Sequence, residues 1–259
     1  MDNNNNILPL AISMIPVVLY SFLVFILIPN RYVSHRRALR YFSMGMLAPL
    51  LVLAFNYAFP SWQIPISSDN VLISIMCFAF FQVGIIEEIA KFLTFWFIST
   101  QRKSSVNDLP IATIYYAMMS SAGFAVIENV QYLMHWGDKV LFIRTVSAIP
   151  LHLITGLVMG YYIQNGFSKI VMSEKYSFKE KFKMKFHKWR FIISGIGMAT
   201  IFHGIYDLNL LLPDNTYKGL FLFIILFFGL FIGRFMISEG IRLSKELRDK
   251  NYNKDLKYF

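Results

Sequence analysis

The chain has 259 residues, of which 56% are hydrophobic, 17% aromatic and only 15% charged. Soluble domains carry about 25% charged residues, so this composition excludes a soluble domain and fits a helical membrane protein. The formal net charge of +10 would suggest a nucleic-acid partner in a soluble protein. Here the basic residues fall between apolar runs, so they are assigned to membrane orientation, and no nucleic-acid partner is expected.

The N-terminal stretch MDNNNNILPLAISM lacks the basic segment and the small-residue cleavage site of a signal peptide. It is expected to open a retained first span over 7–28. A span needs about 20 mainly apolar residues. On that criterion further spans follow at 39–59, 71–99, 109–134, 140–165, 190–212 and 217–237. The third and fourth are long enough to tilt. The single cysteine, Cys77, lies in the third run, so no internal disulfide can form; it reads as an apolar filler.

The linkers after the odd-numbered spans, together with the C-terminal tail, hold 21 of the 25 Lys and Arg residues. With seven spans these segments share one side of the membrane, and the positive-inside rule makes that side the cytoplasm. The expected fold is therefore all-α: a polytopic helical transmembrane bundle of about seven spans, N-terminus outside and C-terminus cytoplasmic. Residues 1–259 form one integral membrane domain, with a polar cytoplasmic tail over 238–259. The fifth linker, FSKIVMSEKYSFKEKFKMKFHKWR, interleaves Lys with Phe, Met and Trp. It reads equally as an interfacial helix on an anionic leaflet and as a basic loop that only fixes topology.

Ionisable residues at membrane depth are concentrated in four neighbouring spans. Span three carries Glu87, Glu88 and Lys91; span four, Glu128 and Asn129; span five, His152 with Arg144 near its outer end; span six, His203 and Asp207. Each unpaired charge at the bilayer centre costs about 2.5–3.5 kcal/mol on insertion scales. Spans three to six are therefore expected to face one another around a polar cavity. Glu87 and Lys91 are four apart and share a helix face, while Glu88 points about 100° away. That phase pairs Lys91 with Glu87 and favours Glu88 as the free carboxylate and so as the water-activating base. His203 and Asp207 are also four apart, which lets Asp207 orient the imidazole. Gly156 and Gly160 extend a stripe from His152 along which another helix can approach. Pro150 frees a backbone carbonyl one turn earlier. Gly195 and Gly197 thin span six. Arg144 reads as an interfacial anchor.

Carboxylates beside imidazoles suit a water-activating general base with an oxyanion donor. The same residues suit zinc, with Glu88, Glu128, His152 and His203 as ligands. They also suit a proton relay in a transporter or a non-catalytic scaffold.

Four motifs carry a resemblance. EEIAK (87–91), FAVIEN (124–129), PLHLITG (150–156) and HGIYD (203–207) resemble, in order and one per span, the motifs of the PrsW family of intramembrane proteases. That family is related to the type II CAAX prenyl endopeptidases and bacteriocin-processing membrane proteases. The resemblance covers about 84–208 and makes that stretch the catalytic core. It implies Glu87 and Glu88 as the catalytic pair, His152 as the partner of the water or acid for the leaving group, and Glu128 as an assisting group. His203 would stabilise the oxyanion. Lys91, Asn129 and Asp207 would support the site. Asp207 stands where the wider group often has Asn, so it is expected to orient His203 rather than to donate. The resemblance further implies a metal-independent glutamic mechanism, with no cofactor favoured and zinc as the alternative, since no HExxH motif is present. It implies a single-pass membrane protein as substrate, of the anti-sigma-factor kind cleaved at a first site, and residence in the lipid bilayer of a bacterial cytoplasmic membrane.

Overall fold

The structure, a computed structural model, describes residues 28, 32–62, 70–100, 109–171, 178–213 and 218–255. Among the described residues the secondary structure is helical throughout. The elements are α1 (His35–Gly45), α2 (Ala48–Ala58), a 3₁₀ turn (Pro60–Trp62), α3 (Val71–Cys77), a π-helical segment (Phe78–Gly84), α4 (Ile85–Thr100), α5 (Pro110–Trp136), α6 (Asp138–Val171), α7 (Phe178–Leu211) and α8 (Lys218–Asp255).

Among the described residues six stretches are long and apolar enough to cross a membrane: His35–Ala58, Val71–Thr100, Pro110–Trp136, Ile143–Gly166, Phe186–Leu211 and Lys218–Asp249. They correspond to the expected spans two to seven. The expected first span, 7–28, lies outside the described residues apart from Ile28.

Several helices outrun the apolar pattern. The second span starts at His35, inside the basic linker, and is interrupted at Met46–Leu47, where Pro49 enters the first turn of α2. A proline there cannot donate into the preceding turn, so the chain restarts its helix. Most of the fifth linker is helical, because α6 runs to Val171 and α7 begins at Phe178. Its Lys, Glu and Met residues are good helix formers once flanked by helix. α8 continues through the tail to Asp255.

α5 and α6 form the centre. Of their most apolar windows 83% is buried, against 22% for α8. The two pack through small residues. A Cβ on Gly160 would lie 2.8 Å from the Ile114 backbone, and one on Gly156 2.9 Å from the Ala117 carbonyl. The glycine stripe leading from His152 is thus where α6 meets α5. Gly45 and Gly123 bring α1 against α5 just as closely: a Cβ on Gly123 would collide with the Phe42 carbonyl and lie 2.9 Å from the Met46 nitrogen. α8 holds the start of α5, where the Ser244 hydroxyl accepts from the Ile111 amide (3.0 Å) and donates to Gly240 (2.7 Å). That satisfies one of the orphan donors of a helix N-terminus.

α4 and α7 run antiparallel. Trp96 meets Trp189 at one end, and Gly84 approaches the backbone of Thr200 and Gly204 nearer the other. Gly195 packs on Met159 and Tyr162, whereas Gly197 has open space beside it. That space is part of an apolar groove of about 800 Å³ between the third-span helices and α7, lined by Phe80, Ile85, Ile196 and Thr200 among others. Pro150 is buried inside α6 without ending it.

Candidate active site

Each polar residue anticipated at membrane depth is buried or nearly so, and they form one connected network. It begins at α4, where the wide π-helical turns give way to α-helix. A π segment advances the helical phase by an extra residue, so residues just beyond it face differently than a uniform helix would place them. Glu87, Glu88 and Lys91 follow it directly.

Lys91 is fully buried and contacts two chains of groups. Its Nζ donates to Glu88 Oε1 (2.7 Å) and to His152 Nδ1 (2.9 Å); Glu87 Oε2 is farther, at 3.8 Å. The Phe124 ring covers the ammonium at 4.2 Å and also packs on the His152 ring. The expected pairing of Lys91 with Glu87 is present as the longer contact, whereas the expectation that Glu88 is left free, and so serves as the base, is corrected. Positions i and i+3 share a helix face as i and i+4 do, and Lys91 takes the nearer carboxylate. Glu88 is fully enclosed, and its Oε1 also accepts from His203 Nδ1 (2.9 Å).

Glu87 occupies a different position. Its Oε2 lies 3.5 Å from His203 Nε2 and has no hydrogen-bond partner among the described residues. Asp207 Oδ2 sits 3.4 Å from the same His203 nitrogen, as the four-residue spacing implied. The two imidazoles meet edge to face with ring centres 5.3 Å apart.

The second branch runs outward from His152. Its Nε2 lies 2.7 Å from Glu128 Oε2. The other oxygen of Glu128 pairs with Arg144 Nη2 at 2.8 Å. Arg144 also donates from Nε to Asn129 Oδ1 (3.1 Å) and stacks over Tyr132 at 3.6 Å. Its side chain is only 7% exposed, so the expectation of an interfacial anchor is corrected. Sequence reasoning missed this role because Arg144 sits a little more than two helical turns from His152, near the end of its span, where snorkelling is the default reading. Its approximate distance from the membrane end was visible in the sequence; its partner was not. Tyr206, inside the HGIYD motif, hydrogen-bonds Ser147 at 2.8 Å and is a further buried polar residue that the charge pattern alone did not single out.

Exposure within the network is graded. Side chains of Lys91, Glu88, His152 and His203 are at most 3% exposed, whereas Glu87 and Glu128 reach 11% and Asp207 17%. Asp207 lies C-terminal to His203 on α7, Glu128 lies C-terminal to Phe124 on α5, and Glu87 is N-terminal to Lys91 on α4. In this alternating bundle all three offsets point to the same end, the end bearing Arg144.

The donor group close enough to hold an ion, among the described residues, is Glu87, His152 and His203, whose ligand atoms lie within 4.8 Å of one another. The anticipated ligand quartet is corrected in its carboxylates. Glu88 is engaged by Lys91 and His203, Glu128 by Arg144 and His152, and the carboxylate that clusters with both histidines is Glu87.

Comparison with known proteins bears on these residues. A family model described as PrsW family intramembrane metalloprotease matches residues 34–233. The chain is 36% identical over 125 residues to "Protease PrsW" of Oceanobacillus iheyensis, a match covering 48% of this chain and 54% of that protein. It is 30% identical over 169 residues to "Protease PrsW" of Shouchella clausii, covering 65% and 67%. With "Protease PrsW" of Halalkalibacterium halodurans it shares 24% identity over 229 residues, covering 88% and 93%. The chain thus spans about half the length of the first of these relatives and more of the others. No solved structure matches.

The family description names a metal, and the donor set can be tested against one. Two histidines and a glutamate are the ligands of a common catalytic zinc type, which takes three protein ligands and keeps one position open. As the side chains lie here, both ring nitrogens of His152 are engaged, one by the Lys91 ammonium and one by Glu128. A metal would have to displace either the Glu128 carboxylate at 2.7 Å or the positively charged Lys91 ammonium at 2.9 Å. The set fits zinc in composition but not in the arrangement of His152, and no chemical step is assigned to a metal.

Proposed function

The chain belongs to the PrsW family of intramembrane proteases, and from that premise we propose that it hydrolyses a peptide bond of a membrane-anchored protein with Glu87 as the water-activating base. The observation that carries the reading is the division of labour between the two adjacent glutamates. Glu88 is enclosed and neutralised by Lys91 and His203. Glu87, clustered with both histidines, keeps an oxygen without a partner among the described residues. Glu87 Oε2 and Asp207 Oδ2 each lie within 3.5 Å of His203 Nε2, and these atoms suit the two to four contacts by which a buried water is held.

In the proposed step Glu87 takes one proton from the water, and the water oxygen forms a bond to the substrate carbonyl carbon. The carbonyl oxygen becomes an oxyanion, which His203 stabilises by donating from Nε2; because Nδ1 already donates to Glu88, the ring acts here as the imidazolium, both of whose nitrogens donate. Asp207, 3.4 Å from that nitrogen, holds the ring in place and favours the donating form. The tetrahedral intermediate then breaks its C–N bond, and the amine nitrogen receives the proton held by Glu87. The result is a new carboxyl terminus and a free amine, with no net change in the enzyme. Lys91 keeps Glu88 and His152 in place throughout.

The basic linkers support a cytoplasmic C-terminus, and the graded exposure of the site then supports access from the opposite, outer end. A substrate with one span and a short outer segment suits that geometry. By family resemblance an anti-sigma factor of a bacterial cytoplasmic membrane is the expected kind.

The test is cleavage by the purified protein in proteoliposomes, with the single-span proteins of a bacterial membrane extract as substrate and new termini read by mass spectrometry. Glu87→Gln is expected to lower the rate by about 10²–10⁴-fold, the usual worth of a positioned general base. Metal content and activity in chelator are measured on the same preparation. Stoichiometric zinc with activity that chelator removes and zinc restores would favour the metal reading instead.

A further inference from the structure

We propose that the apolar groove between the third-span helices and α7 is where the membrane span of the substrate docks. This rests on the hydrolytic reading above and adds the route by which a span in lipid reaches the site. The groove encloses about 800 Å³, and its walls belong to the two helices that carry Glu87, Glu88 and His203. On α4, Ile85 and Ile89 line it, on either side in sequence of the two buried glutamates. On α7, Thr200 and Ile201 line it, and His203 follows within one turn. The seam between groove and site is thin. A Cβ on Gly84 would lie 3.5 Å from the Gly204 nitrogen and from the Thr200 carbonyl, so the two backbones meet there without side chains. The Phe80 ring, itself part of the lining, covers Gly204.

Two features of the α7 wall call for a helix as occupant rather than a lipid tail. The first is Gly197. Glycine inside a helix is destabilising relative to alanine, and in membrane bundles it is kept where a second helix comes close. Gly156, Gly160, Gly195, Gly204 and Gly229 each have such a neighbour, whereas Gly197 has nothing within 4 Å. The other glycines with open space lie between α5 and α6 (Gly137) or in the first turn of α8 (Gly219). Gly197 is therefore a mid-span notch that the described residues leave unfilled. The second is Thr200, which is 8% exposed and whose hydroxyl has no partner among the described residues. A threonine inside a helix has the carbonyl one turn earlier to donate to, and Thr200 does not use it. Rotation about χ1 exchanges the hydroxyl with the methyl group, which turns it to the groove that the side chain lines. A lipid tail offers no acceptor there; the carbonyls and small polar side chains of a span do.

The dimensions agree. From Ile73 to Ile89 the lining follows about 24 Å of helix at about 1.5 Å per residue, most of the ~30 Å of a hydrocarbon core. Beyond Ile201, Asp207 lies six residues on, about 9 Å farther along α7, at the exposed end of the site. A span seated in the groove thus brings its outer flank to the end where Glu87 is reached.

The test uses the full-length protein in proteoliposomes, with its single cysteine, Cys77, as the probe, because Cys77 lines the groove. Glu87→Gln protein is reconstituted with a single-span protein that the wild type cuts or, if it cuts none, with a synthetic span of about 20 Leu and Ala residues. One cysteine is moved along that span, and disulfides to Cys77 are formed with an oxidant. Cross-links are expected at positions three or four apart, on one face of the span, and none with Cys77→Ala. Uniformly low yields would overturn the proposal. So would a cross-link from Cys77 to a cysteine placed in the chain's own 7–28 run that the added span does not compete away.

Kinetics on the cleaved substrate give a second measure. Gly197→Phe fills the notch and is expected to raise KM at least about 10-fold with kcat within about twofold, the pattern of lost ground-state binding, at an unchanged thermal midpoint. Thr200→Val keeps the shape without the hydroxyl and is expected to raise KM about three- to tenfold, the worth of one hydrogen bond. Wild-type KM in either folded variant, as expected of a groove that holds only lipid, would overturn the proposal. One-faced cross-links with a wild-type protein that cleaves nothing would keep the groove and remove the protease reading; cleavage without cross-links would do the reverse.

Discussion

At the scale of single residues, the site separates two kinds of buried charge that the sequence shows as equals. Glu88 and Lys91 are a buried ion pair at 2.7 Å. Removing one partner of such a pair strands the other, at a cost of about 3–5 kcal/mol. Lys91→Met is therefore expected to lower the thermal midpoint of unfolding sharply in detergent. Glu87→Gln removes no contact shorter than 3.5 Å, so its midpoint is expected to stay near wild type while activity is lost. A Glu87→Gln protein that unfolds as readily as Lys91→Met would place Glu87 in the structural network instead. The identity of the charged residues was legible in the sequence, because ionisable groups in lipid are expensive and had to share a cavity. Which glutamate pairs with Lys91 was not, since positions three and four residues away lie on the same helix face and spacing alone does not choose between Glu88 and Glu87.

At the scale of elements, small residues set the distances that the polar network needs. The stripe from His152 through Gly156 and Gly160 was legible because close helix approach in membranes calls for small residues at four-residue spacing. The Gly45–Gly123 contact between α1 and α5 was not, because it joins helices on separate spans with no shared pattern. A Cβ on Gly123 would collide with the Phe42 carbonyl, a backbone atom that cannot swing aside. Gly123→Val is therefore expected to cost at least about 1–3 kcal/mol, the usual range for overpacking. It is also expected to reduce activity, since Phe124 and Glu128 ride on the same helix. Gly197→Ala, with open space around it, is the control: its thermal midpoint is expected to match wild type. The helical extensions of α6, α7 and α8 beyond the apolar runs were hidden for a simpler reason. Hydropathy reports where lipid is, not where a helix stops.

At the scale of the whole molecule, the six membrane-length stretches among the described residues place α5 and α6 at the centre and bring α4 and α7 against them, so four helices contribute to one candidate site. The all-helical fold and the grouping of spans three to six followed from composition and from where charges occur. Orientation rests on the 21 Lys and Arg residues of the odd linkers and tail. A fluorescent protein fused after Phe259 is expected to fold and fluoresce in bacterial cells, whereas an alkaline phosphatase fused there is expected to be inactive. The opposite pattern would invert the bundle and turn the exposed end of the site toward the cytoplasm.

The central claim is that Glu87 activates water for peptide hydrolysis within the membrane. The most direct measurement compares wild type, Glu87→Gln and Glu88→Gln for new peptide termini in co-reconstituted single-span proteins, each protein first shown to be folded. Termini are expected from the wild type and none above background from Glu87→Gln. Termini from folded Glu87→Gln at the wild-type rate would contradict it.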